Sequence, residues 1–258
     1  MDKPHILAIH AHPDDLEIQC GGTLALLSQR GCRITMATLC DGGLGSATLP
    51  PAEIASIRLG EARKSAAIVG AEHVCLGKPD CSIVFSNALR YELAGFLRKV
   101  NPQIVITAPP IDYSADHEET SRSVKEAALH LPVTWLPTPE PRFPGVPVPP
   151  LYYTGAMGGA DAWGRPLPVG ALVDISTAIE VKEKMLACHD SQREWLRRHL
   201  GVDRFVEAAK ETSAQLGKRI GAAYAEPFSQ HLGFGFPHEN TLARILHGLW
   251  NPVDQNNG

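Results

Sequence analysis

Apolar residues arrive in short, nearly continuous runs, separated by stretches with helical spacing. Ile6 to Ile9 is the first run and reads as a strand over residues 5–11. Residues 16–30 follow as a helix, with Leu16, Cys20, Leu24 and Leu27 on one face and Gly31 as its stop. Gly21 and Gly22 lie inside that helix, where each costs about 1 kcal/mol relative to alanine. Such a pair implies a close approach of backbone or ligand. Ile34 to Cys40, Val74 to Leu76 and Ile104 to Ala108 read as further strands, and residues 51–69, 87–100 and 117–130 as helices. Nearly all-apolar strands are expected where both sheet faces are covered. The alternation predicts an α/β fold: a mostly parallel sheet with helices on both faces.

The pattern changes after residue 131. Eight prolines fall within residues 132–150, which excludes a helix or a central strand. Long loops in compact domains often carry function, so this stretch is placed at an active-site rim in preference to an inert connection. Leu151 to Tyr153 and Leu172 to Ile175 read as later strands, and residues 177–223 as largely helical. Phe228 to Pro237 is an aromatic, glycine-rich tail, laid over the core or a neighbouring subunit. One domain over 1–258 is expected: a core over 1–131, a proline-rich loop over 132–150, and later strands, a helical C-terminal part and the tail over 151–258.

Composition narrows the function by exclusion. A formal charge of −4 gives no basic surface for nucleic acid or membrane. The apolar runs are strand-sized, so no membrane span is expected. Residues 1–12 read as a first strand and not as a secretory leader. The six cysteines lack paired metal-ligand spacing and read as reduced thiols of a cytoplasmic protein. No GxGxxG follows the first strand, which disfavours a dinucleotide.

The candidate chemistry lies in Ala11-His12-Pro13-Asp14-Asp15, on a turn at the carboxyl end of the first strand. Ligands bind at such ends in open α/β sheets. Pro13 pushes His12 toward an extended conformation, away from the helix that follows. One imidazole and two carboxylates in four residues suit a divalent metal, zinc foremost. Adjacent Asp14 and Asp15 point in different directions, so one can bind metal while the other faces the open position. A third ligand should come from another strand end. The fourth strand runs into Asp112 to Glu119, with His117 in the first turn of the next helix. Asp116 and Glu119 resemble a capping box. Capping does not explain an imidazole at a helix N-terminus, where positive charge opposes the dipole.

His12-Pro13-Asp14-Asp15, followed by Glu17 and Gly21-Gly22-Thr23-Leu24, resembles the first signature of the PIG-L/LmbE-type zinc-dependent N-deacetylases. Asp112 to His117 resembles the second. Arg58, Glu61, Asp80, Lys184 and His189 to Gln192 extend the likeness over roughly residues 5–195. The resemblance implies a Rossmann-like fold and a single zinc held by His12, Asp15 and His117. It implies Asp14 as general base, Arg58 and Asp80 as substrate contacts, and Asp116 as the partner that orients a ligand or the base. It also implies an acetylated amino sugar, such as an N-acetylglucosamine conjugate, as small-molecule substrate, and a homo-oligomer. One departure stands out: Ser114 occupies the position where the family carries a histidine that stabilises the oxyanion. Ser114 is therefore expected near the substrate, and His231 in the tail is the candidate to reach the site, from its own or an adjacent subunit, as the missing imidazole. Two alternatives compete: an amidase or deacylase acting on a non-sugar acyl-amine, and a metal-binding module without catalysis.

Overall fold

The computed structural model describes residues 3–200 and 204–253. One eight-stranded sheet runs through them. Its first half alternates as expected: β1 (His5–His10), α1 (Asp15–Gln29), β2 (Arg33–Cys40), α2 (Pro51–Ile68), β3 (Glu72–Lys78), α3 (Asn87–Val100), β4 (Ile104–Thr107) and α4 (Ala115–Leu129). The second half is β5 (Leu151–Thr154), β6 (Ala171–Asp174), α5 (Ile179–Leu186), α6 (Asp190–Leu200), α7 (Phe205–Lys218), β7 (Ala225–Gln230), α8 (Thr241–Ile245) and β8 (Trp250–Pro252). The strand order is β3-β2-β1-β4-β5-β7-β6-β8. β1 to β5 pair in parallel, and β6, β7 and β8 join antiparallel.

Two apolar layers cover the sheet. One joins Ile6, Ala8, Met36 and Ile106 to Leu16, Leu24 and Leu27 of α1 and Met185 of α5. The other joins Leu7, Ile9, Leu39 and Val105 to Leu93 and Leu97 of α3 and Val124 of α4. Alternate residues of β1 thus face opposite layers, which is why the strand is apolar throughout. Among the described residues no helix is long and apolar enough to cross a membrane.

Three expectations change. Residues 16–30 do not form one smooth helix: α1 breaks at Cys20, whose φ is −146°. The break exposes backbone groups in the core, and a buried ion pair satisfies them. The Glu226 carboxylate accepts from the Gly22 and Thr23 N–H groups at 2.9 and 2.7 Å. Lys182 Nζ bonds Glu226 at 2.7 Å and donates to the Ile18 carbonyl at 2.7 Å. Gly22 is needed there because a Cβ would lie 2.7 Å from Ile175. The tail is also partly a strand: β7 inserts between β5 and β6 and buries Phe228 completely. Pro227 is tolerated because it sits opposite Gly155, just past the end of β5. The proline-rich loop packs on α3, where Arg98 donates to the carbonyls of Leu131 and Val133 and Gly95 abuts Thr138. It does not form the cavity rim described below.

Removing one member of a buried ion pair leaves the other charge uncompensated, at a cost of about 3–5 kcal/mol. Lys182→Met should therefore lower the urea midpoint by that equivalent. Lys182→Met combined with Glu226→Gln should cost less than the sum of the two single changes.

Candidate metal centre and active site

β1 and β4 are neighbours, with Ile9 in register with Thr107. From β1 the chain moves to β2 on one side, and from β4 to β5 on the other. This is a topological switch point, and the crevice outside its carboxyl ends receives the segments after both strands.

The first segment is a turn whose last residue, Asp14, has φ 104° and ψ −25°. A left-handed backbone is strained for any residue but glycine and favours functional explanations. The second segment starts α4 at Ala115, with Ser114 as N-cap. Together they bring three imidazoles around one carboxylate. Asp15 Oδ2 lies 2.7 Å from His10 Nδ1, 3.3 Å from His12 Nδ1 and 3.3 Å from His117 Nε2. It also accepts the His12 backbone N–H at 2.7 Å.

Each outer imidazole is held from behind by another carboxylate. His12 Nε2 is 3.1 Å from Asp116 Oδ2, and His117 Nδ1 is 3.0 Å from Asp112 Oδ2. Such bonds fix the tautomer and turn the remaining lone pair toward a metal. Asp116 in turn accepts from the N–H groups of Cys81 and Ile83. The capping-box reading is corrected by these contacts. Asp116 and Glu119 do not cap α4; they reach across to the loop after β3, Glu119 accepting from Phe85 N–H at 2.9 Å.

Charge explains the clustering. Burial would raise the Asp15 carboxyl, but His10 and His117 hold it well below the usual carboxylate range. Burial opposes protonation of His117, yet Asp15 and Asp112 lift its pKa to about 10. His12 is raised too: its bonds to Asp116 and Asp15 outweigh burial. His10, fully buried, is pulled down by burial against the attraction of Asp15. This carboxylate-rich set draws positive charge to its centre, which suits a divalent cation. His117 Nε2 and His10 Nε2 are buried without a hydrogen-bond partner, as is Asp14 Oδ2. Oriented lone pairs of this kind fit a metal.

Among the described residues, two groups of metal-ligating side chains are close enough to share an ion: His10, Asp15 and His117, and His12, Cys40 and Asp116. Asp15 and His117 belong to the expected ligand set, whereas the third member of the compact group is His10 in place of His12. His12 approaches the same carboxylate through Nδ1, with Asp116 engaging its Nε2. His10 Nδ1 already lies between Asp15 Oδ2 and the Ala11 N–H.

Asp14 is 4% exposed, and burial pushes its carboxyl up to about 6 against the opposing pull of Arg58. Arg58 Nη2 lies 3.4 Å from Asp14 Oδ2 and donates to the Pro13 carbonyl at 2.7 Å. The Arg58 side chain runs under the glycine loop that follows β2 (residues 41–45), where a Cβ on Gly42 or Gly45 would come within 2.8 or 2.6 Å of it. Asp80 accepts the N–H groups of Gly42 and Leu44, both at 3.0 Å. Arg58 and Asp80 therefore line the cavity, but the Arg58 Nη atoms and the Asp80 carboxylate bond to the protein. Further out, Ser65 and His189 contact Glu17 at 2.6 and 3.1 Å, and Ser191 donates twice to Glu61.

The expected substitute imidazole is not delivered by this chain. His231 N–H donates to the carbonyl of Leu151, the first residue of β5. Since β5 runs parallel to β4, His231 sits at the amino edge, opposite the crevice. Its ring packs edge-on against Phe236 and its Nδ1 meets the Tyr153 hydroxyl at 3.0 Å. Ser114 is half-buried at the N-cap of α4 without a side-chain capping bond. The neighbouring Tyr113 instead lines the cavity, its ring edge-on to His117 at 5.2 Å. Sequence reasoning missed Tyr113, His10 and the role of Asp112. For His10 the available signal was an imidazole ending an otherwise apolar strand.

These groups open on a cavity of about 510 Å³ that includes His12, Asp14, Asp15, Arg58, Asp80 and Tyr113. The PIG-L (GlcNAc-PI de-N-acetylase) family model matches residues 7–128. The diacetylchitobiose deacetylase of Thermococcus kodakarensis is 32% identical over 112 residues, 42% of this chain and 42% of that protein. The matches to the first curated relatives span 42%, 65% and 47% of their lengths. The conserved protein TT1542 from Thermus thermophilus superposes with a TM-score of 0.72 at 28% identity, covering 88% of this chain and 94% of that one. The N,N'-diacetylchitobiose deacetylase from Pyrococcus horikoshii shares the fold at a TM-score of 0.76 and 24% identity, covering 93% and 88%. Residues 7–128, which carry both halves of the His–Asp cluster, thus form a segment that matches the PIG-L family model.

Proposed function

We propose that this protein is a zinc-dependent hydrolase that removes the N-acetyl group from an amino sugar or its conjugate. The observation that carries the reading is the convergence of His12, Asp15 and His117 beside a strained, buried Asp14 whose Oδ2 accepts no hydrogen bond and pairs only electrostatically with Arg58. Zinc bound there would supply Lewis-acid polarisation of the acetyl carbonyl and lower the pKa of water. His12, Asp15 and His117 would hold it, with Asp116 and Asp112 orienting the two rings. Asp14 Oδ2 takes the proton from the attacking water and passes it to the departing amine. Arg58 keeps that carboxylate in place. A purely structural metal site has no use for an extra carboxylate strained into this position. The hydroxyl of Tyr113 is the donor for the developing oxyanion, in the place expected of His231.

The reading includes a cytoplasmic homo-oligomer. The thiols are all unpaired, which suits a reducing compartment. Trp135, Trp163, Leu232 and Phe234 are exposed, and an interface between copies would cover apolar surface of this kind. A monomeric mass by light scattering at micromolar concentration would count against the oligomer.

His117→Ala should lose bound zinc and amine-releasing activity together; full zinc occupancy measured by elemental analysis would show that the ligand set is wrong. Asp14→Asn should keep its zinc and lose about 10²- to 10⁴-fold in turnover. Near-normal turnover in that variant would move the base elsewhere. Tyr113→Phe should lower kcat and kcat/KM alike by about 10²-fold, as loss of an oxyanion donor does. An effect on KM alone would make Tyr113 a binding residue only.

A further inference from the structure

The cavity beside Asp14 has an unusual wall for a site that handles a polyol. Ile18 of α1, Leu44 of the glycine loop, Met157, Trp195 and Leu196 of α6, and Phe205 of α7 all line it. Leu44 is 55% exposed, so its side chain is not buried in the protein's own core. Apart from Asp14, Tyr113 and Gln192, the polar members of the outer lining are engaged within the protein. Asp80 accepts two loop N–H groups, Arg58 donates to the carbonyls of Pro13 and Gly42, Arg204 pairs with Glu211, and the Thr212 hydroxyl donates to Ala208 on its own helix. A sugar ring needs several convergent donors and acceptors, and groups already paired with the protein supply them poorly. The space also exceeds the need: about 510 Å³ lies in the size range of pockets that bury a drug-sized ligand, far beyond an acetyl group.

We infer that the wall formed by Leu44, Trp195, Leu196 and Phe205 is an apolar subsite, and that the substrate carries a hydrocarbon or aryl group of about six carbons beside the scissile amide. This rests on the amide-hydrolase reading for the position of that amide, but not for the apolar contact itself. The group has two possible sources, the acyl chain or the substituent on the sugar, and both would present the same chemistry to the wall. Burying added methylenes against such a wall favours the longer ligand strongly, so a preference of about tenfold or more is expected after ordering costs.

Isothermal calorimetry tests the inference with four ligands. Hexyl and methyl β-D-glucosaminide, which contain no amide to cleave, are titrated into the metal-loaded wild-type protein. N-hexanoyl- and N-acetylglucosamine are titrated into the metal-loaded Asp14→Asn protein. A tenfold or greater preference in the first pair assigns the apolar group to the sugar substituent; in the second pair, to the acyl chain. The preference should collapse toward unity in Leu44→Ser and in Phe205→Ser, two independent variants on different elements. Equal binding within about twofold in both pairs overturns the inference, as does a preference that survives both substitutions. Release of free amine from the two N-acyl sugars by the wild-type protein is followed in parallel. No release from either, with the six-carbon preference intact, would reject the hydrolase reading and leave the apolar subsite standing.

Discussion

The parallel pairing of β1 with β4 is the constraint on which the site depends. Neither segment carries a complete metal site: the turn after β1 contributes His12, Asp14 and Asp15, and the segment after β4 contributes Asp112 and His117. Some hundred residues separate them along the chain. They meet because the two strands are adjacent, in register at Ile9 and Thr107, and point the same way. Both apolar layers of the sheet hold that register, since a slip of one residue would exchange the faces of every side chain on β1. The hydrophobic core therefore fixes the position of charged groups that it never touches.

Inside the crevice, electrostatics takes over from packing. Buried carboxylates are costly unless paired. Here Asp15, Asp112 and Asp116 alternate with His10, His12 and His117, so each acid has an imidazole or backbone N–H within hydrogen-bonding reach. Asp14 is the exception, with one oxygen that accepts no hydrogen bond and a backbone conformation that few residues adopt. Backbone strain at a buried acid beside a cavity is the pattern expected where strain serves chemistry.

Much of this was legible in the sequence because the informative residues are contiguous. The run from His12 to Asp15, and Asp112 to His117, each announce a ligand cluster beside a strand end, and the apolar runs announce the strands. What was not legible depends on partners distant in sequence. His10 drew no role from the sequence because nothing local shows that Asp15 folds back to meet its ring. Asp116 looked like a helix cap because its true donors, the N–H groups of Cys81 and Ile83, lie over thirty residues away. β7 was read as part of an aromatic, glycine-rich tail because nothing local shows that it inserts between β5 and β6, where Gly155 leaves room for the Pro227 ring. The break in α1 was invisible for the same reason: Gly21 and Gly22 signalled a close approach, but its agents, Ile175 and the Lys182–Glu226 pair, come from the far half of the chain.

The Arg58 guanidinium carries a mechanical consequence. One planar cation spans the Pro13 carbonyl, the Asp14 carboxylate and the underside of the glycine loop, with no room for a single extra methyl group between them. Loop and acid are thereby geared together. A ligand that presses on Gly42 or Gly45 must shift the cation, and shifting the cation changes the field at Asp14. The rim of the cavity and the proton carrier at its floor behave as two ends of one lever.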